Sequence, residues 1–305
     1  MIMIKLSVGY RIQKSAVALI LILLSLPARA QWDEILPDGL HTLPVSILTP
    51  PDQKLQGTGV YLSESNKLFF VTAAHCLFNV ASTNFYELSF PNVTTASFPV
   101  AQGSNDAKYV LYLDLQKLLT SNRLKRHPTH DVAVVQIANL QRSSTNNSAA
   151  ATIWLDGVLQ PHWEHSLTLA MWETSNCAKF DDVKDGSPSL ILGYPAELLN
   201  GEMASEIDFD YPLIRRGVIS QRNLKRTKLI IDSGVFGGNS GGPVAVIDHS
   251  NPAITSYNIA GLVTQFVPSK TRLFPKAGFS DSVLLNSGYS VAEPIDFALE
   301  LMRQF

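Results

Sequence analysis

The stretch GGNSGGP, residues 237–243, sets four glycines and a proline around one serine. Glycine loses more backbone entropy on ordering than any other residue, about 0.5–1 kcal/mol relative to alanine in regular structure. Concentrating it around Ser240 points to a backbone conformation, or a close approach, that side chains forbid. A tight turn between strands meets that description. So does a loop that presents a nucleophile, and the rest of the chain separates the two.

A serine hydroxyl is a weak nucleophile until a neighbouring base takes its proton. Histidine is the usual base, because its pKa lies near working pH. A buried carboxylate then fixes the imidazole tautomer and stabilises the imidazolium. The chain supplies both partners in matching settings. VTAAHC (71–76) ends an apolar strand with two small residues, His75 and Cys76, and HDVAVVQI (130–137) places Asp131 at the mouth of another. Asp131 follows His75 by 56 residues, and Ser240 follows Asp131 by 109.

The apolar segments are short and rich in valine, isoleucine, phenylalanine and tyrosine. GTGVYL, KLFFVTAA, YELSF, SFPVA, DVAVVQI, SLILGYP, GVISQ, KLIID, GPVAVID and YNIAGLVTQF read as strands, most of them bounded by Gly, Pro, Asn, Asp or Ser. Many short strands without regular helices between them predict an all-β fold of antiparallel barrels or sandwiches. PIDFALELMRQF, from Pro294 to the end, reads as a C-terminal helix with Ile295, Leu299, Met302 and Phe305 on one face. YLDLQKLL (112–119) fits strand or helix.

VTAAHC, HDVAVV and GNSGGP, in that order, resemble the trypsin-like (chymotrypsin-fold) serine peptidases over residues 55–270. IDSGVFGGNSGGP is closest in texture to the bacterial HtrA-type protease domains. The resemblance implies two six-stranded antiparallel β-barrels with the active site between them. It implies His75, Asp131 and Ser240 as catalytic residues, and the N–H groups of Gly238 and Ser240 as the oxyanion hole. Thr264 would support Asp131 and, with Gln265 and Phe266, line the substrate channel, with Gly234 at the base of the specificity pocket. These roles need no metal or organic cofactor. The expected substrate is a protein or peptide, cleaved through an acyl-enzyme. A catalytically silent protein that binds a peptide or surface partner on the same fold is the alternative, and an esterase a third reading.

Departures from the family pattern carry information. Asn239 stands where digestive members keep an aspartate that pairs with a newly cut N-terminus, so the loop is expected to form without proteolytic activation. The uncharged Gly234 and the bulky Phe266 lead to the expectation of a small or apolar residue before the scissile bond. About 35 residues follow the last strand read from the sequence, too few for the PDZ module of HtrA-type proteins, so a stand-alone protease unit is expected.

Residues 1–30 read as a secretory signal peptide: Lys5, Arg11 and Lys14 precede the apolar run AVALILILLSL (16–26) and the small-x-small site Ala28–Ala30. Export to the periplasm or medium of a bacterium is expected, with no membrane span in the mature chain. Residues 31–140 form the first expected unit, 141–187 a connection, and 188–305 the second barrel with its helix. Without the leader, 20 basic residues face 26 acidic ones, a formal charge of −6. That balance offers no footprint for nucleic acid, and oligomeric state is not legible. Cys76 and Cys177, the only cysteines, are compatible with one bridge or with two free thiols. The HxxH spacing of His162 and His165 lacks further ligands, and Asp181, Asp182 and Asp185 miss the EF-hand spacing; no metal site is expected.

Overall fold

The computed structural model describes residues 42–49, 53–78, 95–100, 109–140, 152–159, 171–195, 197–198, 206, 212–248, 256–273 and 281–305. All of them belong to one compact unit, Gly39–Phe305. The leader, the YELSF segment and the HxxH pair lie outside the described residues.

The first half contributes β1 (Thr42–Thr49), β2 (Gln53–Glu64), β3 (Lys67–Thr72), β4 (Thr95–Val100), β5 (Tyr109–Asp114), β6 (Leu124–Arg126) and β7 (Ala133–Leu140). Three further strands, β8 (Thr152–Trp154), β9 (Val158–Leu159) and β10 (Trp172–Glu173), come from the segment expected to be a connection. Together they make a ten-stranded sheet in the order β6-β7-β3-β2-β1-β4-β5-β9, with β8 on β7 and β10 on β2. Where six strands were expected, the first half supplies seven and the connection adds three short ones. The ambiguous YLDLQKLL divides at Asp114. Its first part belongs to β5, and helix α1 (Leu115–Thr120) follows, with the Asp114 carboxylate accepting the Lys117 N–H at 2.9 Å as an N-cap.

Strands β3 and β7 explain why their sequences run apolar without alternation. Successive side chains on a strand face opposite sides, and here both sides are buried. Leu68, Phe70, Ala133, Val135 and Ile137 enter one core, whereas Phe69, Val71, Val132 and Val134 enter a second. Helix α2 (Asp296–Met302) closes that second core with Ala298, Leu299, Leu301 and Met302. Pro294 ends the preceding strand instead of opening the helix.

The second half contains β11 (Pro188–Gly193), β12 (Leu213–Asn223), β13 (Lys228–Asp232), β14 (Pro243–Asp248), β15 (Ser256–Leu273) and β16 (Asp281–Pro294). They close into a six-stranded barrel ordered β11-β12-β13-β16-β15-β14, as the all-β expectation requires. Strand β16 is missing from the sequence reading. Its Asn286-Ser287-Gly288 resembles a turn, but falls where the β15–β16 register shifts between Phe266 and Pro268, with Gly288 at φ +86°. A bulge inside a strand carries the same residues as a turn.

Candidate active site

Neighbouring strands bring the histidine and the aspartate together. β3 and β7 are antiparallel with Thr72 opposite Ala133, so the residues leaving β3 meet those entering β7. His75, in the 3-10 turn Ala74–Cys76, donates its backbone N–H to Asp131 Oδ1 at 2.9 Å. Its ring Nδ1 lies 2.6 Å from Asp131 Oδ2. The two bonds fix both the ring's direction and its tautomer, leaving Nε2 as the ring's other functional atom. Burial disfavours the imidazolium, but the adjacent Cys76 sulfur and the Asp131 carboxylate outweigh it and hold His75 well above the usual histidine range.

Ser240 lies on the loop between β13 and β14, and Thr58 of β2 clasps that loop to the first sheet. The Thr58 N–H donates to the Ser240 carbonyl at 2.6 Å, and its hydroxyl donates to the Gly238 carbonyl at 2.7 Å. The same hydroxyl accepts the Tyr194 N–H at 3.1 Å. The Cys76 thiol, one residue beyond His75, donates to the Ser240 carbonyl at 3.5 Å. The serine's backbone is thereby tied to the residue adjoining the histidine. Thr58 is fully buried, and nothing in GTGVYL beyond a threonine between two glycines signals this role.

The glycines now have physical reasons. Gly241 adopts φ +83°, and a Cβ there would overlap the Thr58 carbonyl and the Thr72 hydroxyl, so no side chain fits between the loop and the first sheet. Gly238 adopts φ +98°, a region that L side chains disfavour. Asn239 closes the loop from within: its Oδ1 accepts the Phe236 N–H at 3.0 Å, and its own N–H donates to the Phe236 carbonyl at 3.0 Å. Among the described residues, the Gly238 and Ser240 N–H groups enter no backbone hydrogen bond.

Residues 263–266 run beside this loop. Gly241 N–H donates to the Val263 carbonyl at 2.7 Å, and Val263 N–H to the Gly242 carbonyl at 2.8 Å. Gln265 and Phe266 are exposed on β15, and the Thr264 hydroxyl donates to the Val291 carbonyl at 3.3 Å. The support expected for Asp131 from Thr264 comes instead from Glu293, a residue the motifs do not signal. Glu293 is wholly buried on β16; its Oε1 accepts the Asp131 N–H at 3.0 Å and pairs with Lys228, and its Oε2 lies 2.9 Å from His130 Nδ1. Burial, His127 and Lys228 lower the His130 pKa to about 4, so a neutral ring donates this bond. His127 and His130 shape the approach to Asp131. His127 Nδ1 accepts the N–H groups of Thr129 at 3.3 Å and His130 at 3.1 Å, and the His130 ring stacks on Phe297 of α2.

This network makes one testable demand. Lys228→Met leaves the Glu293 carboxylate buried without its cation, a loss of about 3 kcal/mol of stability. That is the lower end of the usual range, because Lys228 retains some solvent. Urea unfolding of variant and parent measures it; a change under about 0.5 kcal/mol would show that the pair contributes nothing.

Both cysteines are free thiols, Cys76 buried and Cys177 partly so. Burial raises the Cys177 pKa to about 12, with Asp296 and Glu64 adding to the effect. The acidic turn at residues 181–186 is held by protein groups: Asp185 Oδ1 accepts the Arg222 N–H at 2.7 Å. No cluster of potential metal ligands occurs among the described residues. No helix among them is long and apolar enough to cross a membrane.

No characterised protein matches the chain by sequence. Among solved structures, the HtrA-type protease AlgW with tripeptide is 16% identical, with 91% of this chain and 63% of that one covered at a TM-score of 0.47. The serine endoprotease from Yersinia pestis is 16% identical, with coverages of 87% and 62% and a TM-score of 0.45. The protease Anisep from Arthrobacter nicotinovorans is 15% identical, with coverages of 84% and 90% and a TM-score of 0.43. The chain thus spans less than two thirds of the length of the first two. Residues 57–250 match the trypsin-like peptidase domain, a span that starts at the Thr58 clasp and takes in His75, Asp131 and the whole Ser240 loop. With more than half its length matched, this chain belongs to the trypsin-like peptidase family.

Proposed function

We propose that the protein is an exported serine endopeptidase that hydrolyses peptide bonds through an acyl-enzyme. Ser240 Oγ attacks the carbonyl carbon and gives its proton to His75 Nε2. The Gly238 and Ser240 N–H groups receive the oxyanion. His75 returns the proton to the leaving amine, and water repeats the sequence on the ester. Asp131 keeps Nδ1 protonated, so that Nε2 can accept. The observation that carries this reading is the pair of bonds from His75 to Asp131, 2.9 and 2.6 Å, beside a serine whose carbonyl is pinned by Thr58 and Cys76. Asn239, uncharged and bonded within its own loop, supports a site that forms without a newly cut N-terminus.

A fluorophosphonate probe tests this directly. The wild-type protein should label stoichiometrically and Ser240→Ala not at all. Folded wild-type protein that stays unlabelled would instead be a protease fold that binds without turnover. The leader reading has its own check, since mass spectrometry of protein secreted by a bacterial host should find the N-terminus at Gln31.

The raised His75 pKa sets the pH dependence. Only the neutral ring can accept the serine proton, so activity appears as pH rises through the folded-state value. kcat/KM should therefore rise with an apparent pKa above 6.5, and an acid limb centred below 6.5 would contradict the arrangement. The sign for stability is opposite. Stabilisation from the charged ring is complete below the unfolded-state pKa and is lost as pH rises through the folded one.

A further inference from the structure

Arg215 occupies a place where a strand normally presents an apolar side chain. Along β12, residues 215, 217 and 219 face inward while 214, 216 and 218 are exposed. Ile219 enters the barrel core, and Arg215 shares its parity. The guanidinium reaches the loop that leads to Ser240: Nη1 donates to the Gly234 carbonyl at 2.8 Å, and the group lies over the Phe236 ring, 4.5 Å from its centre.

Gly234 leaves open space beside this charge. A Cβ placed there would meet nothing nearer than Asn286 Oδ1 at 3.7 Å, Gly288 Cα at 3.8 Å and Arg215 Nη1 at 3.9 Å. The walls are anchored. Asn286 Nδ2 donates to the Val235 carbonyl at 2.6 Å, and its Oδ1 accepts the Gly288 N–H at 3.0 Å. Phe266 pairs with Ser290 across the β15–β16 ladder, so the strand beside the Ser240 loop also borders β16. Ser290 is fully buried, and its hydroxyl has no hydrogen-bond partner among the described residues.

Among the described residues no carboxylate meets this charge, and the Arg215 Nε is buried without a partner. Glu197, the acid packed against Gly237, is exposed, and Asp232 faces solvent at the end of β13. A half-buried guanidinium with spare donors is a costly feature unless an anion completes it.

We propose that Arg215 is the specificity-determining residue of the substrate recess at Gly234, and that the recess takes an acidic side chain, glutamate or aspartate, from the residue preceding the scissile bond. This rests on the reading of Ser240 as nucleophile and deepens it by naming the substrate class. It replaces the small or apolar preference suggested by Gly234, because the charge reaches this position from β12, a strand nineteen residues earlier in the chain.

The test is a panel of peptides differing only in the residue before the cleaved bond: Glu, Asp, Gln, Asn, Leu and Lys. The wild-type protein should cleave Glu or Asp about 10- to 100-fold better, in kcat/KM, than the isosteric amide, the range of a charge-assisted hydrogen bond. Arg215→Gln should bring that ratio to about one while retaining turnover of the amide peptides. A wild-type ratio of one or less, with Ser240-dependent fluorophosphonate labelling intact, overturns the acidic specificity and leaves the hydrolase reading standing. Equal loss on every peptide in Arg215→Gln, with the ratio preserved, overturns it too and makes Arg215 a clamp for the loop. A folded wild-type protein that neither labels nor cleaves overturns both. If Arg215→Gln does not fold, the wild-type panel decides alone.

Discussion

Ser240→Ala is expected to lower kcat by roughly 10⁴–10⁶-fold while leaving the fold in place. The two halves of this expectation have separate causes. The contacts that place residue 240 engage its backbone: Thr58 N–H and the Cys76 thiol both donate to its carbonyl. An alanine keeps them, and unfolding free energy should change by less than about 1 kcal/mol. The hydroxyl, by contrast, is the proposed nucleophile, and no neighbour in the loop can replace it, since Asn239 is turned inward onto Phe236. Peptide hydrolysis measured with thermal melts on the same preparations checks both parts. Residual activity above about one hundredth of wild type in a variant free of parent enzyme would remove Ser240 from the mechanism.

Asp131→Asn is expected to cost about 10⁴-fold in kcat for a different reason. The asparagine carbonyl can still accept the His75 backbone N–H, but its amide then points a donor at Nδ1. The ring adopts the other tautomer, with a proton on Nε2 where a lone pair is needed. The carboxylate's contribution to the raised His75 pKa is lost as well, so the remaining activity should show an acid limb displaced to lower pH. A merely structural defect would reduce the rate without moving that limb. The Glu293 bond is to the Asp131 backbone N–H and survives the change, so the local frame is retained.

Three short motifs pointed to the chemistry from the sequence, because each couples a reactive residue to a local constraint. Two small residues before His75, an apolar strand after Asp131 and glycines around Ser240 are local demands on backbone and packing, and such demands are written locally. The bonds joining Thr58 to the serine loop, and Glu293 with Lys228 to Asp131, were not legible. Each links residues more than sixty positions apart, and neither member carries a pattern of its own. Strand β16 was lost for a related reason: Asn286-Ser287-Gly288 reads as a turn until β15 is seen to pair across it.

The surroundings of Gly234 differ most from what the sequence suggests. From the chain alone, Gly234 is an uncharged position that, with Phe266, suggests a small or apolar residue before the scissile bond. In the fold, Arg215 carries a positive charge to that glycine from a neighbouring strand. Fold class and family could be read from linear order, since periodicity, spacing and backbone constraint act over a few residues. The charge beside Gly234, the carboxylate behind Asp131 and the free state of both thiols emerged only from the tertiary structure. They depend on distances between strands, and strand pairing sets those distances through contacts that no short stretch of sequence contains.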